Sequence, residues 1–320
     1  MVRVGVTGGT GFIGGGLVPA LAAAGHTPLV VDDRTGPVWV AHPEWPALVA
    51  PYESEGGLRR LADADVILHL GAVSGVMACA KDPPATYRVN VEGTRRLVAM
   101  CRERRIPIAF ASSLAVVGSP ERLPVTEETP ARPTHEYARQ KADAEQAVRG
   151  PGAEGVVPTA VLRMSNVYGA YTVGSRTVSK GNVLTLFLEQ AREGRLRVNA
   201  PGTQRRDFIH FEDVVAHWTA VVGWLASHAN HPETRTFNVA SGENFSVIEL
   251  AEEFRLLWSE RPATTAPLKV EVVPNPRGGI ELIDPEFRVS RKQTEMDLNV
   301  HCEHRVKGFL RDAFARDGTG

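Results

Sequence analysis

The sequence predicts an α/β protein in which a doubly wound parallel sheet is joined to a smaller α/β substrate-binding part. Two observations predict it. Short apolar, β-branched runs alternate with longer helical patterns through the first half of the chain. A Gly-rich turn links the first such run to the first helical pattern, and an acid closes the second run.

Residues 2–6 read as the first strand. Residues 12–24 read as a helix, with Ile13, Leu17, Leu21 and Ala24 near one face and Gly25 as its stop. Pro19 removes a backbone bond inside this helix, so a kink is expected, eased by the run Gly14-Gly15-Gly16. Residues 29–31, 66–70, 106–111 and 160–163 read as further strands, and residues 87–101 and 136–148 as helices. After about residue 165 the loops lengthen, and 199–207 and 261–280 are rich in Pro and Gly. The expected division is a Rossmann domain over 1–165, with segments returning near 207–240, and a mainly substrate-binding domain over 166–320.

Bulk properties narrow the function. With 36 Lys plus Arg against 37 Asp plus Glu, no single-sign field favours nucleic acid or an anionic membrane, so an anionic substrate must be held by locally placed basic groups. No apolar run is long enough to span a bilayer, and residues 1–6 run into a strand without a signal-peptide pattern. Cys79, Cys101 and Cys302 are spaced for neither a metal site nor a disulfide framework, and read as buried thiols of a cytoplasmic protein with no metal.

The segment from Val4 through Thr10 to Gly14 is a strand, a turn and a helix start. Gly8 permits the tight turn, Gly11 lets backbone approach a pyrophosphate, and Gly14 lets the helix pack on the sheet, with free amides facing the phosphates. Asp32, with Asp33 beside it, ends the second strand, where a carboxylate accepts from ribose hydroxyls and repels a 2′-phosphate. NAD is therefore expected over NADP, although Arg34 just beyond could pair with a 2′-phosphate. Tyr137 and Lys141 lie four apart on a helix and share a face, so the ammonium is expected to lower the phenol's pKa and poise it as a base. The strand ending Ala111-Ser112-Ser113 brings Ser113 to the carboxyl edge of the sheet, where a hydroxyl can bond the reacting oxygen.

Together these residues resemble the short-chain dehydrogenase/reductase superfamily, in its extended branch of nucleotide-sugar epimerases and dehydratases that includes the UDP-glucose 4-epimerase-like enzymes. The resemblance spans nearly the whole chain. Thr7-Gly8-Gly9-Thr10-Gly11-Phe12-Ile13-Gly14 is similar to the branch's cofactor signature, and His69-Leu70-Gly71-Ala72 to its fourth-strand motif near the nicotinamide ribose. Asn90, in Asn90-Val91-Glu92-Gly93-Thr94, falls where a helix motif supports the site. The resemblance gives Ser113, Tyr137 and Lys141 the catalytic positions, with Lys141 also on the nicotinamide ribose. It implies that Asn166, in Leu162 to Gly169, binds substrate, and that Arg206, in Arg205-Arg206-Asp207-Phe208-Ile209-His210, meets the diphosphate. Phe237 to Gly242 also corresponds, and Arg277 is a second candidate phosphate ligand.

Some positions depart from the branch. Leu48 to Glu53 lacks the Asp that commonly meets adenine, and Val117 stands where Tyr is usual. Leu114 and Ala115 occupy the places of the Asp-Glu pair common in 4,6-dehydratases. Thr134-His135-Glu136 replaces a frequent Ser-Pro before the Tyr, and His135 reads first as a solvated loop residue, with contact to the substrate as the alternative. The function implied first is a nucleotide-diphosphate-sugar epimerase acting at C4 with resident NAD. A dehydratase or decarboxylase, an NAD(P)H-dependent 4-ketoreductase and a non-catalytic NAD-binding regulator follow. The resemblance also implies a homodimer through the helices at 87–101 and 136–148.

Overall fold

A computed structural model of the chain describes residues 1–34, 40, 42–261, 267–275 and 286–317. Strands are numbered β1 to β14 along the chain. The central sheet joins β1 (Arg3–Thr7), β2 (Thr27–Asp32), β3 (Leu48–Val49), β4 (Val66–His69), β5 (Ile108–Ser113), β6 (Thr159–Met164) and β12 (Thr234–Val239). Their spatial order is β12-β6-β5-β4-β1-β2-β3, and every pairing is parallel. The winding reverses at β1, so a crevice opens beyond the carboxyl ends of β1 and β4.

Both faces of this sheet are covered, which is why its strands read as continuous apolar runs. Alternation sends Val6, Leu68, Ala111, Leu162 and Phe237 to one core with Trp218. Ile67, Phe110 and Val161 go to the other, with Leu97 and Val148.

The helix Phe12–Ala23 follows the expected span and continues through Pro19. Proline frees the carbonyl four residues before it, here that of Gly15, and His42 Nε2 lies 2.6 Å from that oxygen as its donor. The Gly14-Gly15-Gly16 run answers a different need from the one expected. A Cβ on Gly14 would stand 2.3 Å from the Gly8 carbonyl oxygen, one on Gly15 2.6 Å from the Tyr171 hydroxyl, and one on Gly16 2.1 Å from the Phe211 ring. These glycines allow close approach rather than relieve the proline.

The helix expected over 87–101 is three consecutive pieces: Pro83–Tyr87, a π-helical turn Arg88–Gly93, and Thr94–Arg104. It starts early because Pro83 and Pro84 take the first-turn positions behind Asp82, whose side chain accepts from Ala85 N. The helix Glu136–Ala153 runs one turn past its expected end.

Beyond β6 the chain builds smaller sheets. β7 (Asn166–Tyr168), β11 (Arg205–His210) and β13 (Asn244–Ser246) form one in the order β13-β11-β7. β8 (Ala170–Val173) and β9 (Arg176–Ser179) form a hairpin, and β10 (Arg195–Asn199) pairs in parallel with β14 (Lys269–Val273). Phe187, Phe208, Phe254 and Leu310 share a separate core here. The helix Phe211–Ser227 returns, placing Val214, Trp218 and Val222 in the first core of the central sheet. No described helix is long and apolar enough to cross a membrane.

Candidate active site

The Gly-rich turn is fixed by backbone. Gly8 has φ of +65°, the left-handed region, and Gly11 N donates to Gly8 O at 3.1 Å. Asp32 closes the turn from the side: its carboxylate accepts from Thr10 N at 2.9 Å and from Arg34 N at 2.8 Å. The Thr10 hydroxyl is buried with no hydrogen-bond partner among the described residues. Tight glycines, a helix start and an orphaned hydroxyl together fit a bound dinucleotide pyrophosphate.

The β4 end is set against this turn. A Cβ on Gly8 would lie 2.8 Å from the Gly71 backbone, so the two loops touch. His69 orders the contact. Thr94 Oγ1 donates to Asn90 O at 2.7 Å and so receives the His69 Nε2 proton at 2.9 Å. His69 Nδ1 then accepts from Thr7 Oγ1 at 2.7 Å, and that oxygen accepts from Gly71 N at 3.0 Å. Burial, with some help from the Lys141 charge, pushes the imidazole down to about 3, so it stays neutral. The π-helical turn aims Asn90 at the following loop. Asn90 accepts from Val73 N at 2.8 Å, donates to Val73 O at 3.0 Å, and reaches Gln140 Oε1 at 2.8 Å. Leu70, Gly71 and Ala72 are thereby held at the crevice by a clamp behind them.

Tyr137, Lys141 and Ser113 converge at the end of β5. Lys141 is buried and its Nζ donates to Ala111 O at 2.7 Å, 4.8 Å from the Phe110 ring centroid. Burial pushes the ammonium down to about 8. The expected lowering of the phenol is not met in the protein alone. Burial raises the Tyr137 pKa, and hydrogen bonds with Ser74 and Ser113 offset it only in part. Ser74, on the loop clamped by Asn90, reads in the sequence only as one of several small residues leaving room for a sugar; its bond to the phenol is revealed only by fold contacts. Ser113 also caps the 3-10 turn Leu114–Val117 through Ala115 N, at 3.2 Å.

The neighbouring Ser112 points the other way. Its hydroxyl donates to Glu145 Oε1 at 2.5 Å, and Arg163 grips the same carboxylate at 3.0 and 2.9 Å. Only the Ser112 backbone is left to the crevice.

On the substrate side, β7 and β11 bring Asn166 opposite Phe208, two residues along from Arg206. The Asn166 amide donates to Asp207 O at 3.0 Å. Asp207 is buried and accepts from Ser241 N at 3.0 Å and Gly242 N at 2.7 Å, which ties the two late motifs together. Arg277 lies outside the described residues. His135, expected as a solvated loop residue, is instead the half-buried N-cap of the helix that carries Tyr137 and Lys141, with Nδ1 accepting from Ala138 N at 3.2 Å. A ring clasp joins the halves: the Tyr171 hydroxyl of β8 donates to Phe12 O at 2.8 Å, and its ring lies 5.8 Å from Phe12 and 4.5 Å from Phe211.

Comparison with known proteins now fits this geometry. Residues 4–240 match the model of the NAD dependent epimerase/dehydratase family. The chain belongs to this family. A UDP-glucose 4-epimerase of Azospirillum brasilense is 31% identical over 241 residues, covering 69% of this chain and 68% of that protein. The Thermus thermophilus UDP-glucose 4-epimerase, solved in complex with NAD, is 25% identical with a TM-score of 0.77, covering 98% of this chain and 99% of that one. An NAD-dependent NDP-hexosamine 5,6-dehydratase of tunicamycin biosynthesis is also 25% identical, with a TM-score of 0.80 over 99% of this chain and 98% of that one. The doubly wound sheet is thus shared with both epimerases and dehydratases.

Proposed function

We propose that this protein is an NAD-dependent epimerase of a nucleotide-diphosphate sugar, acting at C4 through a 4-keto intermediate. The observation that carries the reading is the meeting of Ser113, Tyr137 and Lys141 at the carboxyl end of β5, beside the Gly-rich turn. NAD would be held by Gly8, Thr10, Gly11 and Gly14 at its pyrophosphate, by Asp32 and Asp33 at its adenosine ribose, and by Lys141 at its nicotinamide ribose. When bound it accepts and returns a hydride. Tyr137 takes the proton of the 4-hydroxyl and gives it back, a transfer that Ser113 assists by bonding the same oxygen. In the protein alone its raised pKa keeps the phenol's own proton, and a positive charge bound nearby would favour the phenolate that this transfer needs. Arg206 and Asn166 would hold the diphosphate and sugar.

Leu114 and Ala115 favour epimerisation over dehydration. Leu114 is buried in an apolar cluster with Val116 and Val117, so these positions carry no acid–base pair. We also propose a cytoplasmic homodimer pairing through the helices Thr94–Arg104 and Glu136–Ala153. Three free, buried cysteines support the location.

The test is incubation of purified protein, without added cofactor, with a panel of nucleotide sugars, with mass-resolved chromatography and with light scattering of the same sample. An isomer of unchanged mass is expected, and Tyr137→Phe should lower its rate by about 10²–10⁴-fold. Loss of water or carbon dioxide would overturn the epimerase in favour of the dehydratase or decarboxylase. Conversion only of 4-keto sugars with added NADH or NADPH would make it a ketoreductase, and a monomer would remove the dimer.

A further inference from the structure

His135 does more than a cap requires. A serine at this position would satisfy the Ala138 amide with a far smaller side chain. The imidazole instead extends beside Tyr137, with ring planes 8° apart and centroids 6.1 Å apart. The ring is only half buried. Its Nδ1 lone pair is used by the Ala138 amide, so in the neutral ring the proton sits on Nε2. Burial and the charges of Arg139 and Arg206 hold the ring neutral. Nε2 has no hydrogen-bond partner among the described residues. A fixed N–H donor thus stands beside the phenol proposed to work on the sugar, within the field of the guanidinium proposed to hold the diphosphate.

We propose that His135 is a substrate-contacting specificity residue, whose Nε2–H donates to the phosphate that joins nucleotide to sugar. The inference rests on the nucleotide-sugar reading above. It assigns the residue two tasks with one ring: Nδ1 starts the helix of Tyr137, and Nε2 reads the ligand. A neutral donor suits this place, because a phosphate oxygen facing Arg206 gains a directed bond without the desolvation of a second charge.

The two tasks separate by substitution. His135→Ser keeps a cap acceptor and removes the reach, whereas His135→Ala removes both. UDP and UDP-glucose are titrated calorimetrically into the folded holoenzyme and both variants, alongside KM, kcat and melting temperature. We expect His135→Ser to melt near the wild type and His135→Ala several degrees lower. Both should bind UDP and UDP-glucose about tenfold more weakly, with KM raised and kcat within about threefold. A His135→Ser protein with wild-type affinity and KM would overturn the inference and leave His135 as a cap only. A loss confined to UDP-glucose would overturn the phosphate assignment. Wild-type protein that binds neither probe nor any other nucleotide sugar of the panel above would instead defeat the nucleotide-sugar reading, a result visible before any variant is made.

Discussion

Two places on the contact between β5 and the helix Glu136–Ala153 treat charge differently. In one, Ser112, Glu145, Arg163 and Arg149 form a closed network in which the Glu145 carboxylate meets a hydroxyl and two guanidinium groups. One helical turn earlier, Lys141 is also buried, donates to the neutral carbonyl of Ala111 and lies over the Phe110 ring. The same strand and the same helix supply both places. Paired charge fixes the helix against β5 and β6, while the Lys141 ammonium, which feels the Glu145 charge through space and bonds a carbonyl, keeps more of its field for whatever enters the crevice. The difference teaches that positioning and reactivity are divided here between adjacent residues, Ser112 and Ser113, by the alternation of one strand.

The comparison breaks most sharply at Glu145. Glu145→Ala leaves Arg163, itself buried, without its carboxylate, and should cost about 3–5 kcal/mol in a denaturant titration. A cost below about 1 kcal/mol would mean that the network is not what holds the helix. Lys141→Met should act with the opposite sign. Burial lowers the folded-state pKa of Lys141 from 10.5 to about 8. Between those values the unfolded chain binds a proton that the folded one does not, so stability from this group rises with pH across that window. Without cofactor, the variant should therefore gain up to about 3 kcal/mol at neutral pH, and the gain should vanish at the upper end of the window. Activity should be lost at every pH. Equal stability of the two proteins at neutral pH would show that the lysine is not held at a cost. The smallest effect separates the two serines. Ser112→Ala should lower stability by about 1 kcal/mol and leave turnover intact, and Ser113→Ala should do the reverse. Parallel losses in both would erase the distinction between the two serines.

The same contrast explains what could be read in advance. The turn glycines, Asp32 and the Tyr137–Lys141 spacing are local features, with their geometry set by residues a few positions apart. Glu145 joins Ser112 and Arg163 across 33 and 18 residues, and nothing local marks it. The serine pair was legible as a strand end, but which hydroxyl enters the core depends on the helix above it. The solvated-loop reading of His135 differs from the structure for a related reason: a histidine before a helix looks like loop until the cap bond is seen. The π-helical turn at Arg88–Gly93 has no periodicity of its own and read as ordinary helix. The need for Gly15 and Gly16 is not local either, because Tyr171 and Phe211, which press on them, lie more than 150 positions away.

That pressure has a thermodynamic side. Through the Tyr171 hydroxyl and its ring contacts, the first turn of the helix Phe12–Ala23 and the hairpin of β8 and β9 share one set of interactions. A ligand that stiffens either element acts on the other through the same atoms. Linkage makes such an effect reciprocal: whatever factor a dinucleotide adds to the affinity for a sugar nucleotide, the sugar nucleotide must return to the dinucleotide. A cofactor retained through many turnovers and a substrate gripped only once the cofactor is in place are then two readings of a single free energy, and Tyr171 is where it would be measured.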